Sequence, residues 1–140
     1  VITFMNRICI VLIAFSLFAA GCNQDPVAKK KKYMKDMVAA FNKNKKDILK
    51  QAKDPEGKAK DVFEDIRAYQ DGKEAVVVVE RKLSKDYPPM KIDLKSVLIK
   101  EAKSNEEFRK ALELDIAIRF VDKTPKGEIV NDATITKDDL

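Results

Sequence analysis

The chain has 140 residues, 45% hydrophobic and 36% charged, with Gly 4, Pro 5, Cys 2 and neither Trp nor His, and a net charge of +5. That length suits one compact domain rather than two, and the low Gly and Pro content excludes collagen-like and low-complexity classes. Without histidine there is no Ser-His-Asp or Cys-His centre and no His-containing zinc site.

In chain order, the first segment is a leader. Arg7 is its only charge; Ile8 to Phe18 is apolar apart from Ser16, and Ala19-Ala20-Gly21 leads into Cys22. A short basic head, an apolar run of roughly 7–15 residues and small residues before a cut describe a secretory signal. The run is shorter than the ~20 residues a transmembrane helix needs. Ala20-Gly21-Cys22 resembles the lipobox of bacterial lipoproteins. The resemblance implies that the Cys22 sulfur carries a diacylglycerol and that cleavage makes Cys22 the first mature residue. It gives residues 1–21 as signal peptide, 22–28 as lipidated tether and 29–140 as a single domain. An ordinary signal cut after Ala20 or Gly21, or a buried helix with an incidental cysteine, is the competing reading. Cys9 lies in the leader, so the exported domain would have no thiol free for a disulfide.

Beyond the leader the net charge is +4, that is, +5 less Arg7. Lys29-Lys30-Lys31-Lys32, with Lys35, sit close to the anchor. An acyl chain plus a polybasic stretch is a two-signal membrane anchor; the alternative is a solvated tether that repels itself. Nucleic acid is not an expected partner, because no aromatic residues interleave with these lysines and the compartment is wrong. Under the lipoprotein resemblance, Asn23 permits sorting to an outer membrane facing the periplasm. In a Gram-positive cell the address would be the outer face of the plasma membrane.

A polar link broken by Pro26 precedes a helix over residues 29–53, whose stripe includes Met34, Met37, Val38, Phe41 and Ile48, with a weak turn at Asn42 to Lys46. Asp54-Pro55 then signals a new helix start. Ala59, Val62, Phe63, Ile66 and Tyr69 continue a helical stripe that Asp71-Gly72 ends. Ala75 to Leu83 reads as a strand, with four consecutive valines pointing to cover on both faces. Ser84 to Pro89 is a loop. Asp93 caps a helix bearing Leu94, Val97, Leu98 and Ala102, and Ser104 with Glu107 fits a capping box for the helix of Phe108, Ala111 and Leu112. Leu114 to Val121 alternates as a strand, Asp122 to Gly127 is a hairpin loop, and Ile129 to Thr136 returns as a polar edge strand.

The expected fold is therefore α+β, in the order α-α-β-α-β-β, with amphipathic helices packed on one face of a small antiparallel sheet of three strands. Over roughly residues 74–140, the late helix, the strand, Asp122-Lys123 with Gly127, and the ending Thr136-Lys137-Asp138-Asp139 are similar to small bacterial lipoproteins of uncharacterised function.

Chemistry is sparse. Cys22 is taken by the anchor, so zinc, copper, haem and iron–sulfur centres lack their usual ligands, and no metal or cofactor is expected. Asp122 to Glu128 departs from the calcium-loop pattern, and Asp138-Asp139 reads as a solvated tail rather than a cation site. Glu64-Asp65 and Glu106-Glu107 are adjacent pairs that point apart on a helix, and Ser84-Lys85 sits in a loop. Tyr33, Phe41, Phe63, Tyr69, Phe108 and Phe120 fall on predicted core stripes. Tyr87 and Met90 flank two rigid prolines and form a candidate partner contact; the alternative is a stiff connector folded back on the sheet. The expectation is a non-enzymatic binding or scaffolding module, held to the membrane by its lipid and engaging a protein of the cell envelope. An inhibitor or immunity-type lipoprotein that blocks an exported enzyme or toxin is the second reading, and a small hydrolase or ligand carrier the third.

Overall fold

The computed structural model describes residues 25–51, 62–72 and 74–140. The leader, Cys22 and the expected helix start at Asp54-Pro55 lie outside them. Helix α1 spans Pro26–Lys43, with Asp25 as N-cap and Pro26 in the first turn. Proline suits that place because its missing N–H would have no helical partner and its φ is already helical. Pro26 therefore opens the helix rather than breaking a link before it. The single expected helix divides at Asn44, where α2 (Lys45–Gln51) begins.

The largest departure follows. Residues 63–70, expected as helix, form strand β1 (Phe63–Gln70), which pairs antiparallel with β2 (Val76–Leu83). The misleading signal has a local cause. Phe63 faces Leu83 and Asp65 faces Lys82, so an irregularity in register at Glu64 gives β1 one extra residue there. Phe63 and Ile66 thereby both point inward at a spacing of three, which imitates a helical stripe. Beyond the bulge, Ile66 and Ala68 resume strand alternation; Tyr69 turns outward and is 38% exposed instead of joining the core.

Two helices follow, α3 (Leu94–Ser104) and α4 (Glu106–Glu113). Asp93 caps α3, accepting from the Ser96 backbone N–H at 3.2 Å and the Ser96 hydroxyl at 2.6 Å. The cap of α4 is Asn105, whose Oδ1 accepts from the Phe108 N–H at 3.1 Å. Ser104, expected in that role, is the last residue of α3, and its hydroxyl donates to the Glu101 carbonyl. Strands β3 (Ala117–Lys123) and β4 (Ile129–Ile135) complete the sheet, and a 3-10 turn at Lys137–Asp139 ends the chain.

The sheet has four strands in the order β1-β2-β3-β4. Its outer pairs are antiparallel, but β2 and β3 run parallel, bridged by the α3–α4 crossover. The element order is α-α-β-β-α-α-β-β, so the expected order and the all-antiparallel sheet are both corrected. A parallel neighbour requires a long return connection, and two helices supply it. The α+β class stands.

Met34, Met37 and Phe41 of α1, with Leu98 and Phe108 of the crossover, pack over Val77, Val79, Ile118, Phe120 and Ile135. Val78 and Val121 are also buried but lie outside that core, at 2% and 3% exposure. Alternation puts them on the sheet's other face, so the valines of β2 are buried toward both faces, as their run suggests. Asn42 reaches from α1 to β1, donating from Nδ2 to the Ala68 carbonyl at 3.0 Å and accepting from the Ala68 N–H at 2.9 Å. A side-chain amide thus occupies backbone groups that an edge strand would otherwise offer to another chain. Tyr33 ties α1 to α4 by donating to the Glu107 carbonyl and carboxylate at 3.1 and 3.0 Å. Burial, then the hydrogen bond to Glu107, pushes the Tyr33 phenol above its ordinary pKa.

Candidate functional site

Strands β2 and β3 end side by side, and their continuations form the two walls of a groove of about 330 Å³. Leu83, Tyr87, Pro89 and Pro125 supply its apolar lining, and Lys85, Lys126 and Glu128 its charges.

Each wall is stiffened by its own sequence. In the first, the Ser84 N–H reaches the Val62 carbonyl, and the Tyr87 N–H turns back to the Ser84 carbonyl at 3.1 Å. Pro88 and Pro89 then fix φ over the next two residues. In the second, the Thr124 N–H donates to the Glu128 carbonyl at 2.8 Å and the Gly127 N–H to the Thr124 carbonyl at 2.9 Å. Gly127 has φ +91°, a conformation that L side chains rarely adopt.

The next inward-facing positions behind the groove are polar. Arg81 on β2 lies opposite Asp122 on β3, which lies opposite Asn131 on β4. Arg81 donates from Nε to Asp122 Oδ1 at 2.6 Å and from Nη2 to Oδ2 at 3.0 Å, and both residues are buried. The guanidinium carbon sits 4.9 Å from the Phe63 ring centre and 5.2 Å from that of Phe120. Both aromatic faces therefore stabilise the cation in a region closed to water. Asn131 donates to Asp122 at 3.3 Å and to the Met90 carbonyl at 3.0 Å, and accepts from the Ile92 N–H at 3.0 Å. The polar row thus holds the loop of the first wall against the sheet.

The polar groups next to the groove are already engaged. Asp122 is fully engaged with Arg81 and Asn131, and the Ser84 hydroxyl accepts from the Asp86 N–H at 3.3 Å. Among the described residues no three Asp, Glu, His or Cys side chains converge as metal ligands. Asp139, considered with Asp138 in the tail, accepts from the Thr136 N–H at 2.9 Å and pairs with Lys95 at 3.0 Å. Those contacts, the backbone one first, hold its carboxyl below the usual range.

The predicted site residues are spread across the molecule. Tyr87 is half-buried, packs on the core and lines the groove. Met90 is 36% exposed and stands outside the groove lining, its carbonyl held by Asn131. Lys29, Lys31 and Lys32 are exposed on α1, whereas Lys30 is half-buried beside Glu113 and Asp115. Sequence reasoning missed the second wall and the polar row, placing Asp122 in a loop. A signal was present: Arg81 is in phase with Val77, Val79 and Leu83, and Asp122 with Ile118 and Phe120, so opposite charges stand on inward-facing positions.

No family model matches the chain, and no curated protein does. Among solved structures, the chain is similar to the type II secretion system pilotin AspS from Vibrio cholerae, at 15% identity and a TM-score of 0.49. The likeness covers 83% of this chain and 100% of that one, and it is too slight to carry a function across.

Proposed function

We propose that this is an exported, lipid-anchored protein of the bacterial envelope that works by binding a protein partner through the groove, without catalysis. The observation that carries the binding site is the pairing of two rigid walls around an apolar floor, with Lys85 and Lys126 at the rim against the single acid Glu128. That chemistry suits an exposed partner segment in which an apolar side chain sits beside an acidic one. Burying one Leu- or Phe-sized side chain there contributes about 1.5–3 kcal/mol, and the walls need no ordering on binding. The anchor is assigned to Cys22 on the Ala20-Gly21-Cys22 motif.

The test is co-purification from detergent-solubilised membranes, comparing the natural chain with a Pro125→Asp, Lys126→Glu variant. Both positions are exposed on the turn, so the change reaches the groove and spares the core. The expected result is one envelope protein recovered with the natural chain and lost at least about tenfold with the variant, a change of roughly 1.4 kcal/mol. Equal recovery with both chains would overturn the groove as the contact. Recovery of one exported enzyme in inactive form would favour inhibition over scaffolding. Mass spectrometry of the processed protein tests the anchor separately and is expected to show an acylated Cys22 at the N-terminus.

A further inference from the structure

We infer that the outer face of α1 is a docking surface for an anionic bilayer, seating the helical layer on the membrane and leaving the groove free. The inference rests on the proposed anchor at Cys22. Because α1 starts at Pro26, only Asn23, Gln24 and Asp25 separate the anchor from the helix. Three residues reach at most about 10 Å, close to the Debye length of ~10 Å at 0.1 M salt. The first turns of α1 are thereby confined to the zone where a charged surface acts.

The charges in that zone are concentrated: four exposed lysines fall within residues 29–35 of one helix. Lys29, Lys31, Lys32 and Lys35 are exposed, and none makes an ion pair with another described residue. Lys29 stands at the end of the first turn, which holds no acid beyond the Asp25 cap, so the positive end of the helix dipole adds to the charge there. The geometry agrees, since Met34, Met37 and Phe41 point inward while Lys32, Ala39 and Lys43 line the exposed side at spacings of seven and four. No residue of α1 lines the groove.

The experiment places a fluorophore at Ala39→Cys in the processed lipoprotein, bound to vesicles carrying a quencher on their headgroups. Vesicles of phosphatidylcholine alone are compared with vesicles that also contain phosphatidylglycerol. Quenching is expected only with phosphatidylglycerol. It should vanish at 1 M salt, where the Debye length is ~3 Å, and in a Lys29, Lys31, Lys32 and Lys35→Gln variant that stays on the vesicles through its lipid. Each lysine strengthens the docked state up to about fivefold, so losing four abolishes the signal. Equal quenching on both vesicle types, or no response to the substitutions, overturns the docking. Release from phosphatidylcholine vesicles would instead count against the lipid anchor. In that event sedimentation with phosphatidylglycerol vesicles decides, retention supporting the docking and release overturning it.

Discussion

The sheet carries an Arg–Asp pair on each face, in nearly the same geometry. On the helix-covered face Arg81 grips Asp122 through two hydrogen bonds of 2.6 and 3.0 Å; on the open face Arg119 grips Asp132 through two of 2.9 and 2.6 Å. Each pair bridges neighbouring strands. Their surroundings differ: the inner side chains are 0% and 3% exposed, the outer ones 37% each. Outside, water and salt compete for both charges, and a broken pair is resolvated at little cost. Inside, the pair is closed off, and removing one partner strands a charge that nothing else can neutralise. The lesson is that pairing geometry does not set the worth of an ion pair; the surrounding dielectric does.

The sharpest way to break this comparison is Asp122→Ala. It should cost about 3–5 kcal/mol of stability, read as a drop in the urea midpoint, whereas the double change Arg81→Met, Asp122→Leu should recover most of that loss. If the double variant proves as unstable as the single one, hydrogen bonding to the loop rather than the stranded charge is responsible. Asn131→Ala comes next, at about 1–3 kcal/mol. It unpairs the Met90 carbonyl and the Ile92 N–H, so faster amide exchange is expected over residues 84–92 than over β3. On the open face Asp132→Ala should cost under about 1 kcal/mol, and less still at high salt. A loss equal to that of Asp122→Ala would show that the open face is as closed to water as the core.

The smallest effect is the response to pH. The Arg119 hydrogen bond holds the Asp132 carboxyl below its usual range. At Glu80 burial pulls upward, but the hydrogen bonds from Arg67 and Lys123 outweigh it and leave that carboxyl low as well. A carboxylate lowered in the folded state gives its full stabilisation above the unfolded value of about 4 and loses it as pH falls through the folded one. Stability should therefore be level above about pH 5 and decline below about pH 4, with Asp132→Asn making that decline shallower. Tyr33 has the opposite sign: with its pKa raised, its contribution is complete below the ordinary value of 10.0 and fades as pH climbs beyond it. Tyr33→Phe should flatten the alkaline limb alone, as chemical denaturation across the pH range would show.

Much of the candidate site was legible in the sequence where one wall contains its own signals. The stiffness of Pro88-Pro89 and the turn chemistry around Gly127 are local and could be read directly. Tyr87 and Met90 flank the same two prolines in sequence, yet only Tyr87 lines the groove, and Asn131 holds the Met90 carbonyl. That contact spans 41 residues, and no local pattern encodes it.

By itself the sequence determined the α+β class, the valine strand buried toward both faces, the Asp93 cap and the polar edge strand β4. Each follows from side chains within a few residues of one another, which periodicity and capping report. Only the tertiary structure decided that Phe63 to Gln70 is a strand, that β2 and β3 run parallel, and that Arg81 and Asp122 meet. A bulge disguises strand alternation as a helical stripe. Strand direction depends on how a long connection returns, and a buried charge is tolerated only when its partner arrives from 41 residues away.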